Sequence, residues 1–340
     1  MIYKNVPLKK YNTFGLDYMA DCVIHIRTEK EAADLFIGND LLQKPVLIVG
    51  SGSNLLFTAN FHGTIIYPEI EGIRIEEEDM INGYVIISAG AGVIWDDFVD
   101  WNVKKGFGGL ENLSLIPGKV GATPVQNIGA YGVEAGDLIV RVNAISLDDG
   151  SDRTFLNNEC EFGYRTSIFK KNDKNKYLIT RVFYRLKINP AINIHYESLK
   201  EEVDKLGIED IKNIRQAVIN IRKSKLPDPE LIGNAGSFFK NPVVPELAAN
   251  LLKMRYPELP VYEDEPGFRK LAAGWLIDKC GWKGTRRGDA GVHHRQALVL
   301  INLGKATGIE IFNLSEEIRK SVNEEFGVNL EREVEVIGST

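Results

Sequence analysis

Cysteine is scarce in this chain: Cys22, Cys160 and Cys280 are the only three in 340 residues. None forms a C-x-x-C pair and the number is odd. Neither a disulfide framework nor a structural zinc site is expected, and the thiols read as reduced residues of a cytosolic protein. The five histidines are scattered except for His293 and His294, and none shows H-E-x-x-H spacing. Adjacent histidines point in different directions in a helix or a strand, so no metal is expected. No apolar run approaches the ~20 residues that span a bilayer. Met1 to Lys10 has neither the apolar core nor the small-residue cleavage site of a secretory signal. A soluble, cytoplasmic protein is the expectation. Long basic runs are missing and the net charge is −6, which argues against nucleic acid as a partner. There is no internal repeat and no low-complexity segment.

What is present suits a globular protein of two or three domains, with 44% hydrophobic and 26% charged residues. Short apolar runs predict strands at Pro45–Val49, Thr64–Tyr67, Tyr84–Ser88, Ile139–Leu147, Tyr177–Leu186 and Ala297–Asn302. Ile94, Phe98, Trp101 and Val103 predict a helix from Trp95 to Lys105 ended by Gly106. Ser198 to Lys225 is charged and helical in pattern. It stops at Leu226-Pro227-Asp228-Pro229, where a domain boundary is plausible. Further helices are predicted around Pro245–Met254, over Phe268–Lys279, and over Gly308–Phe326, the last closed by Gly327. Val328, Leu330, Val334 and Val336 alternate with Asn329, Glu331, Glu333 and Glu335, predicting a half-buried final strand with an acidic face. Separate strand-rich and helix-rich regions indicate an α+β fold.

Two glycine-rich segments stand out. Ile116 to Gly132 carries four glycines and two prolines with almost no charge, so it is neither a regular helix nor a central strand. Each glycine alone reads as a turn. The whole run, with polar Gln126 and Asn127, favours a phosphate-bearing cofactor approached by backbone N–H groups. The second segment, Gly50-Ser51-Gly52-Ser53-Asn54, follows a predicted buried strand. It has neither the third glycine and acidic residue of a dinucleotide fingerprint nor the lysine of a P-loop. Ser51, Ser53 and Asn54 offer donors for a pyrophosphate.

These segments resemble those of the UDP-N-acetylenolpyruvoylglucosamine reductase family. The resemblance rests on Ile48–Leu56, Ile116–Gly132, Gly163-Tyr164-Arg165, Gly233–Pro242 and Leu330–Val334, in the family's order, and extends from Tyr11-Asn12-Thr13-Phe14 to Ile337. It implies a two-part FAD-binding fold of the vanillyl-alcohol-oxidase type plus a C-terminal α+β substrate-binding domain. The implied division is 1–68 with 328–340, then 69–225, then 226–327, with the last strand returning to the N-terminal part. It implies FAD held at Gly50, Ser51, Gly52, Ser53, Asn54, Pro117, Gly118, Gly121, Ala122, Thr123, Gln126, Asn127, Gly129 and Ala130. Relatives with covalent flavin usually place a histidine in the first loop; Asn54 stands at the matching position, so FAD is expected to be non-covalent. Gly121-Ala122-Thr123 departs from the usual small residues through Thr123, an addition expected to be tolerated.

The resemblance also implies the activity. NADPH is the hydride donor, and the enolpyruvyl group of UDP-N-acetylglucosamine-enolpyruvate is reduced to give UDP-N-acetylmuramate, a peptidoglycan precursor needed for cell shape and division. Ser237, otherwise readable as a turn serine, matches the proton donor to C2. Arg165, otherwise a surface arginine, matches the group that binds the substrate carboxylate. Glu333 is one of three glutamates on the predicted strand face. The match selects it as a third catalytic group, expected to act protonated beside developing negative charge. Tyr196 matches a tyrosine that closes over the nucleotide in the longer-loop class. Lys225 and Asn241 match residues near the substrate diphosphate, and Gln296 matches a substrate contact. A monomer is expected. Two alternatives remain open at this point: an oxidase of the same flavin superfamily, and a nucleotide-sugar binder without flavin.

Overall fold

A computed structural model describes residues 1–37 and 42–338; the end of the final segment, 339–340, lies outside the described residues. The chain forms two compact units, one of Met1–Val6, Ala20–Ser51 and His62–Ser224, the other of Pro7–Met19, Gly52–Phe61 and Lys225–Thr340.

The first unit is built on two sheets. One has four strands in the order Ile2–Pro7, Met19–Ile26, Phe61–Pro68, Val46–Ile48, the last two parallel, with Leu47 opposite Ile65. Helix Glu29–Phe36 is capped by Thr28, whose side chain accepts from the Glu31 N–H. It buries Ala32 and Phe36 against Ile24, Ile26 and Ile66. The other sheet is antiparallel, in the order Asp152–Leu156, Ile139–Ser146, Tyr177–Ile188, Tyr84–Gly90, Ile73–Asp79. Helix Trp95–Lys105 starts with Asp96 and Asp97 and ends at Gly106 in the left-handed region, both favourable to its dipole and cap. Its Trp95, Phe98, Val99 and Val103 join Val85, Ile87, Tyr184 and Leu186 in one core.

The predicted helical stretch after Ser198 is two helices, Glu197–Leu206 and Ile211–Lys225, divided at Gly207, which has φ +85°. Leu199 and Val203 of the first pack with Ile214, Ala217, Val218 and Ile221 of the second.

The second unit contains a sheet ordered Gly233–Ser237, Val299–Asn302, Ala290–Val292, Arg286–Arg287 and a three-stranded sheet of Val243–Pro245, Phe268–Leu271 and Val261–Glu263. Phe268–Leu271 is therefore a strand, and only Ala273–Lys279 of the predicted Phe268–Lys279 helix is helical. Phe268 and Leu271 mimic helical spacing, but pairing on both sides decides the outcome. Helix Gly308–Phe326 runs as predicted, opened by the Thr307–Glu310 capping box and closed by Gly327. The last strand is shorter than the alternation suggested, Glu335–Ile337, and pairs parallel with Leu55–Phe57, so the chain does return to its N-terminal part. Val328, Leu330 and Val334 are buried as expected, whereas Glu333 and Glu335 are half-buried rather than solvated.

Candidate functional site

In the first unit, strand Val46–Ile48 delivers Gly50 against Ala122, with 3.6 Å between the Ala122 Cβ and the place a Gly50 side chain would begin. The two glycine-rich segments thus meet there. The second is a chain of tight turns. Trp95 N–H bonds to Gly118 O, Val120 N–H to Val93 O and Gly121 N–H to Ala91 O, locking the segment to the start of the Trp95 helix. A side chain at Gly121 would begin 2.6 Å from the Ala91 Cβ, so this approach admits only glycine. Thr123 is buried, and its hydroxyl lies 2.8 Å from Val120 O and 2.6 Å from the Tyr184 hydroxyl. That contact accommodates the extra group this sequence carries here.

Asn127, with φ +45°, uses its side chain inside the protein. Its Nδ2 donates to Glu134 at 2.6 Å and to Gly163 O at 3.1 Å, and its Oδ1 accepts from Gly136 N–H at 2.7 Å. It therefore fastens the Gly163-Tyr164-Arg165 turn to the segment from Gln126 to Ala130. Arg165 has φ +54°, a conformation unusual for a side-chain-bearing residue and found where local structure enforces it. Its Nη2 donates to Gly129 O at 2.7 Å. Tyr196 packs edge-on against Tyr131, with centroids 6.0 Å apart, and lies over Gly132.

In the second unit, Gly52 has φ +66°, and a side chain there would begin 1.9 Å from Tyr11 O; Thr13 N–H bonds to Gly52 O. The Asn54 Nδ2 donates to Glu333 O at 3.1 Å, and Glu335 N–H donates to Asn54 O at 3.0 Å. Ser237 ends strand Gly233–Ser237, opposite Val299, directly after Gly236, whose N–H bonds to the buried Asn234 side chain. The next residues, Phe238 and Phe239, are buried anchors. Glu333 N–H donates to Phe238 O at 2.8 Å, and Lys240 N–H to Glu331 O. The structure therefore brings Ser237, Glu333 and Asn54 together. Asn241 and Gln296 meet at the start of helix Ala273–Lys279: the Asn241 Oδ1 accepts from Ala273 N–H at 3.0 Å, and the Gln296 Oε1 lies 3.1 Å from the side-chain position of Gly274. Lys225, exposed, is the last residue of its helix.

His293 and His294 pack against each other with centroids 4.6 Å apart and rings tilted by 56°, and no group of three or more metal-capable side chains exists among the described residues. No helix among them is long and apolar enough to cross a membrane. Two polar groups escaped the sequence reading: Lys119, buried with its Nζ on Pro68 O and over the Tyr67 ring, and Arg222, in the Ile211–Lys225 helix. A charged residue in a loop gives no signal that it is buried, and one on a charged helix gives none that it holds a distant carbonyl.

The residues present fit FAD. Two glycine-containing turns touch at Gly50 and Ala122, the Thr123 side chain turns inward, and the loop Gly50–Asn54 holds no histidine or cysteine for a covalent bond.

Comparison with known proteins agrees with this geometry. Residues 20–154 match an FAD binding domain, and residues 228–337 match the C-terminal domain of UDP-N-acetylenolpyruvoylglucosamine reductase. The chain is 46% identical over 339 residues to a protein of that name from Flavobacterium johnsoniae, covering 99% of each. It is 47% identical over 335 residues to one from Chromobacterium violaceum, covering 97% of each. The crystal structure of UDP-N-acetylenolpyruvylglucosamine reductase from Thermus caldophilus aligns with 99% of this chain and 100% of its own, with a TM-score of 0.68 and 26% identity.

Proposed function

The chain belongs to the UDP-N-acetylenolpyruvoylglucosamine reductase family, and from that premise we propose how its own residues divide the chemistry. It is an FAD-dependent oxidoreductase that reduces the enolpyruvyl group of UDP-N-acetylglucosamine-enolpyruvate to UDP-N-acetylmuramate for peptidoglycan synthesis, with NADPH as donor. When bound, FAD supplies the hydride chemistry, and Gly50 to Asn54 with Pro117 to Ala130 hold it without a covalent bond.

Arg165 binds the substrate carboxylate. Its planar fork matches that group, and its Nη2 anchor on Gly129 O fixes the fork's direction. The carboxylate gains negative charge as C3 receives hydride, so the guanidinium interacts more strongly with the transition state than with the ground state. Ser237 then delivers a proton to C2. Glu333 is the third catalytic group, acting on the enolic intermediate. Lys225 and Asn241 serve the diphosphate, Gln296 a further substrate contact, and Tyr196 covers the nucleotide. The protein acts as a cytoplasmic monomer.

The observation that carries this assignment is the 2.8 Å bond from Glu333 N–H to Phe238 O, which seats Glu333 beside the residue following Ser237. The test is anaerobic. NADPH should bleach the flavin of the wild type and of Ser237→Ala equally. Added enolpyruvyl substrate should restore the colour promptly in the wild type and about 10²–10⁴-fold more slowly in the variant. Equal slowing of both half-reactions would show that Ser237 is not the proton donor.

A further inference from the structure

Asn112 is 1% exposed in the turn Glu111–Leu113 of the first unit. Leu110 and Leu113 beside it are fully buried, and Trp95 Nε1 donates to Leu113 O at 2.9 Å. The Glu111 carboxylate accepts from Gly109 N–H at 2.6 Å, and the Ser114 hydroxyl donates to Glu111 O at 2.6 Å. The Asn112 side chain therefore projects from a fixed point. It spends both amide protons on carbonyls: Nδ2 donates to Tyr131 O and to Asn193 O, each at 3.0 Å. Tyr131 directly follows the stretch Pro117–Ala130, and Asn193 lies in the connection from strand Tyr177–Ile188 to helix Glu197–Leu206. Two stretches far apart in sequence thus meet on one buried amide.

Both need such a holder. Tyr131 has φ +48°, a left-handed conformation that is costly for a bulky residue. From Ile192 to His195, the bond from Asn112 to Asn193 O is the one hydrogen bond to the backbone among the described residues. The Asn193 side chain offers no substitute, because its buried Oδ1 accepts none. Ile192 and Ile194 pack with Tyr131 on Leu199, Val203 and Ile214, but apolar contact is non-directional and does not fix the path of the chain. That path decides where Tyr196 lies. Its ring meets Tyr131 edge-on at 6.0 Å, and its Cε2 lies 3.4 Å from where a Gly132 side chain would begin. Tyr196 is still 46% exposed, so the ring keeps a surface for a ligand.

We infer that Asn112 is the positioning residue of the nucleotide cover: by holding Tyr131 O and Asn193 O at once, it sets Tyr196 over the end of the flavin segment before substrate arrives. This rests on the reading of Tyr196 given above. Without Asn112, binding energy must be spent on ordering the cover, so the loss falls on KM. Once substrate is bound the cover is closed in either protein, and kcat is spared.

Steady-state kinetics of the holoenzyme with the enolpyruvyl substrate test this. Asn112→Ala should raise KM about tenfold and leave kcat within about twofold, with flavin content unchanged. Asn112→Ser, which keeps one donor and so protects the fold, should raise KM about threefold. Tyr196→Ala should raise KM at least as much as Asn112→Ala. Adding Asn112→Ala to it should then change KM by less than about twofold, because the residue that Asn112 positions is gone. A wild-type KM in both Asn112 variants, a fall in kcat at unchanged KM, loss of flavin from both, or full additivity with Tyr196→Ala would each overturn the proposal. A wild-type KM in Tyr196→Ala would instead overturn the reading of Tyr196, and the proposal with it.

Discussion

The Thr123–Tyr184 contact allows a quantitative test of how the cofactor segment is anchored. Tyr184 is fully buried, with Trp95 at 5.9 Å and Phe98 at 5.1 Å between ring centroids, so water cannot replace a lost partner. Burial pushes the phenol's pKa well above its usual value, so it is neutral at all working pH. Thr123→Val keeps the shape but removes the hydroxyl, leaving the Tyr184 OH unsatisfied; this should cost about 2–3 kcal/mol. Tyr184→Phe leaves Thr123 its bond to Val120 O and should cost about 1 kcal/mol. The double variant removes both partners, so it should lose no more than Thr123→Val alone, giving a coupling of about 1 kcal/mol. Urea unfolding of the four proteins, flavin-free and flavin-loaded, measures this; midpoints should move while slopes stay constant. Flavin affinity should change far less than stability. If the two single losses add to within about 0.5 kcal/mol and FAD binding falls instead, the hydroxyl faces the cofactor and the inward-anchor argument fails.

Three further outcomes follow from the same geometry. Gly121→Ala sets a methyl against Ala91 and must displace the backbone, so the purified protein should lose most of its flavin colour while keeping its circular dichroism. Burial opposes ionisation of Asp96, yet the hydrogen bond from Arg215, the Leu115 N–H and the nearby guanidiniums hold its carboxyl below the usual value. The stability it contributes is complete above pH ~4 and is lost as pH falls through the folded-state value, so the gap between wild type and Asp96→Asn should close below pH ~4 in acid unfolding curves. Burial lowers Lys119 to about 8. Between pH ~8 and ~10.4 the unfolded chain then binds more protons, so stability should rise with pH by up to ~1.4 kcal/mol per unit; Lys119→Met should lack that rise in urea titrations across the range.

The helices Trp95–Lys105 and Gly308–Phe326 were legible to the residue because their ends are written locally, in Gly106, Gly327 and the Thr307–Glu310 box. Phe268–Leu271 was misread because its fate is set by pairing with Val243–Pro245 and Val261–Glu263, which no local pattern announces. The acidic strand Ile73–Asp79, for which the sequence offers no expectation, is likewise held by pairing with Tyr84–Gly90. At the site, the glycine segments are visible because backbone approach forbids side chains. Asn112 is not, since its two acceptors, Tyr131 O and Asn193 O, come together only in the fold. The placement of Glu333 likewise comes from hydrogen bonds to Phe238 and Asn54, far away in sequence.

The parallel pairing of Glu335–Ile337 with Leu55–Phe57 sets an order of assembly. Residues 52–61 leave the ribosome early, yet the Asn54 side chain finds its acceptor 279 positions later. The antiparallel sheet between Ile73 and Ile188 can close as it emerges, since its partners are near in sequence. Leu55–Phe57 must wait with its edge open until translation reaches Ile337, an interval in which chaperones, proteases and stray strands compete for it. A nascent chain halted before Glu333 holds its flavin-loop end Gly52–Asn54 without the support of the final strand, so uptake of the yellow cofactor should report completion of the polypeptide.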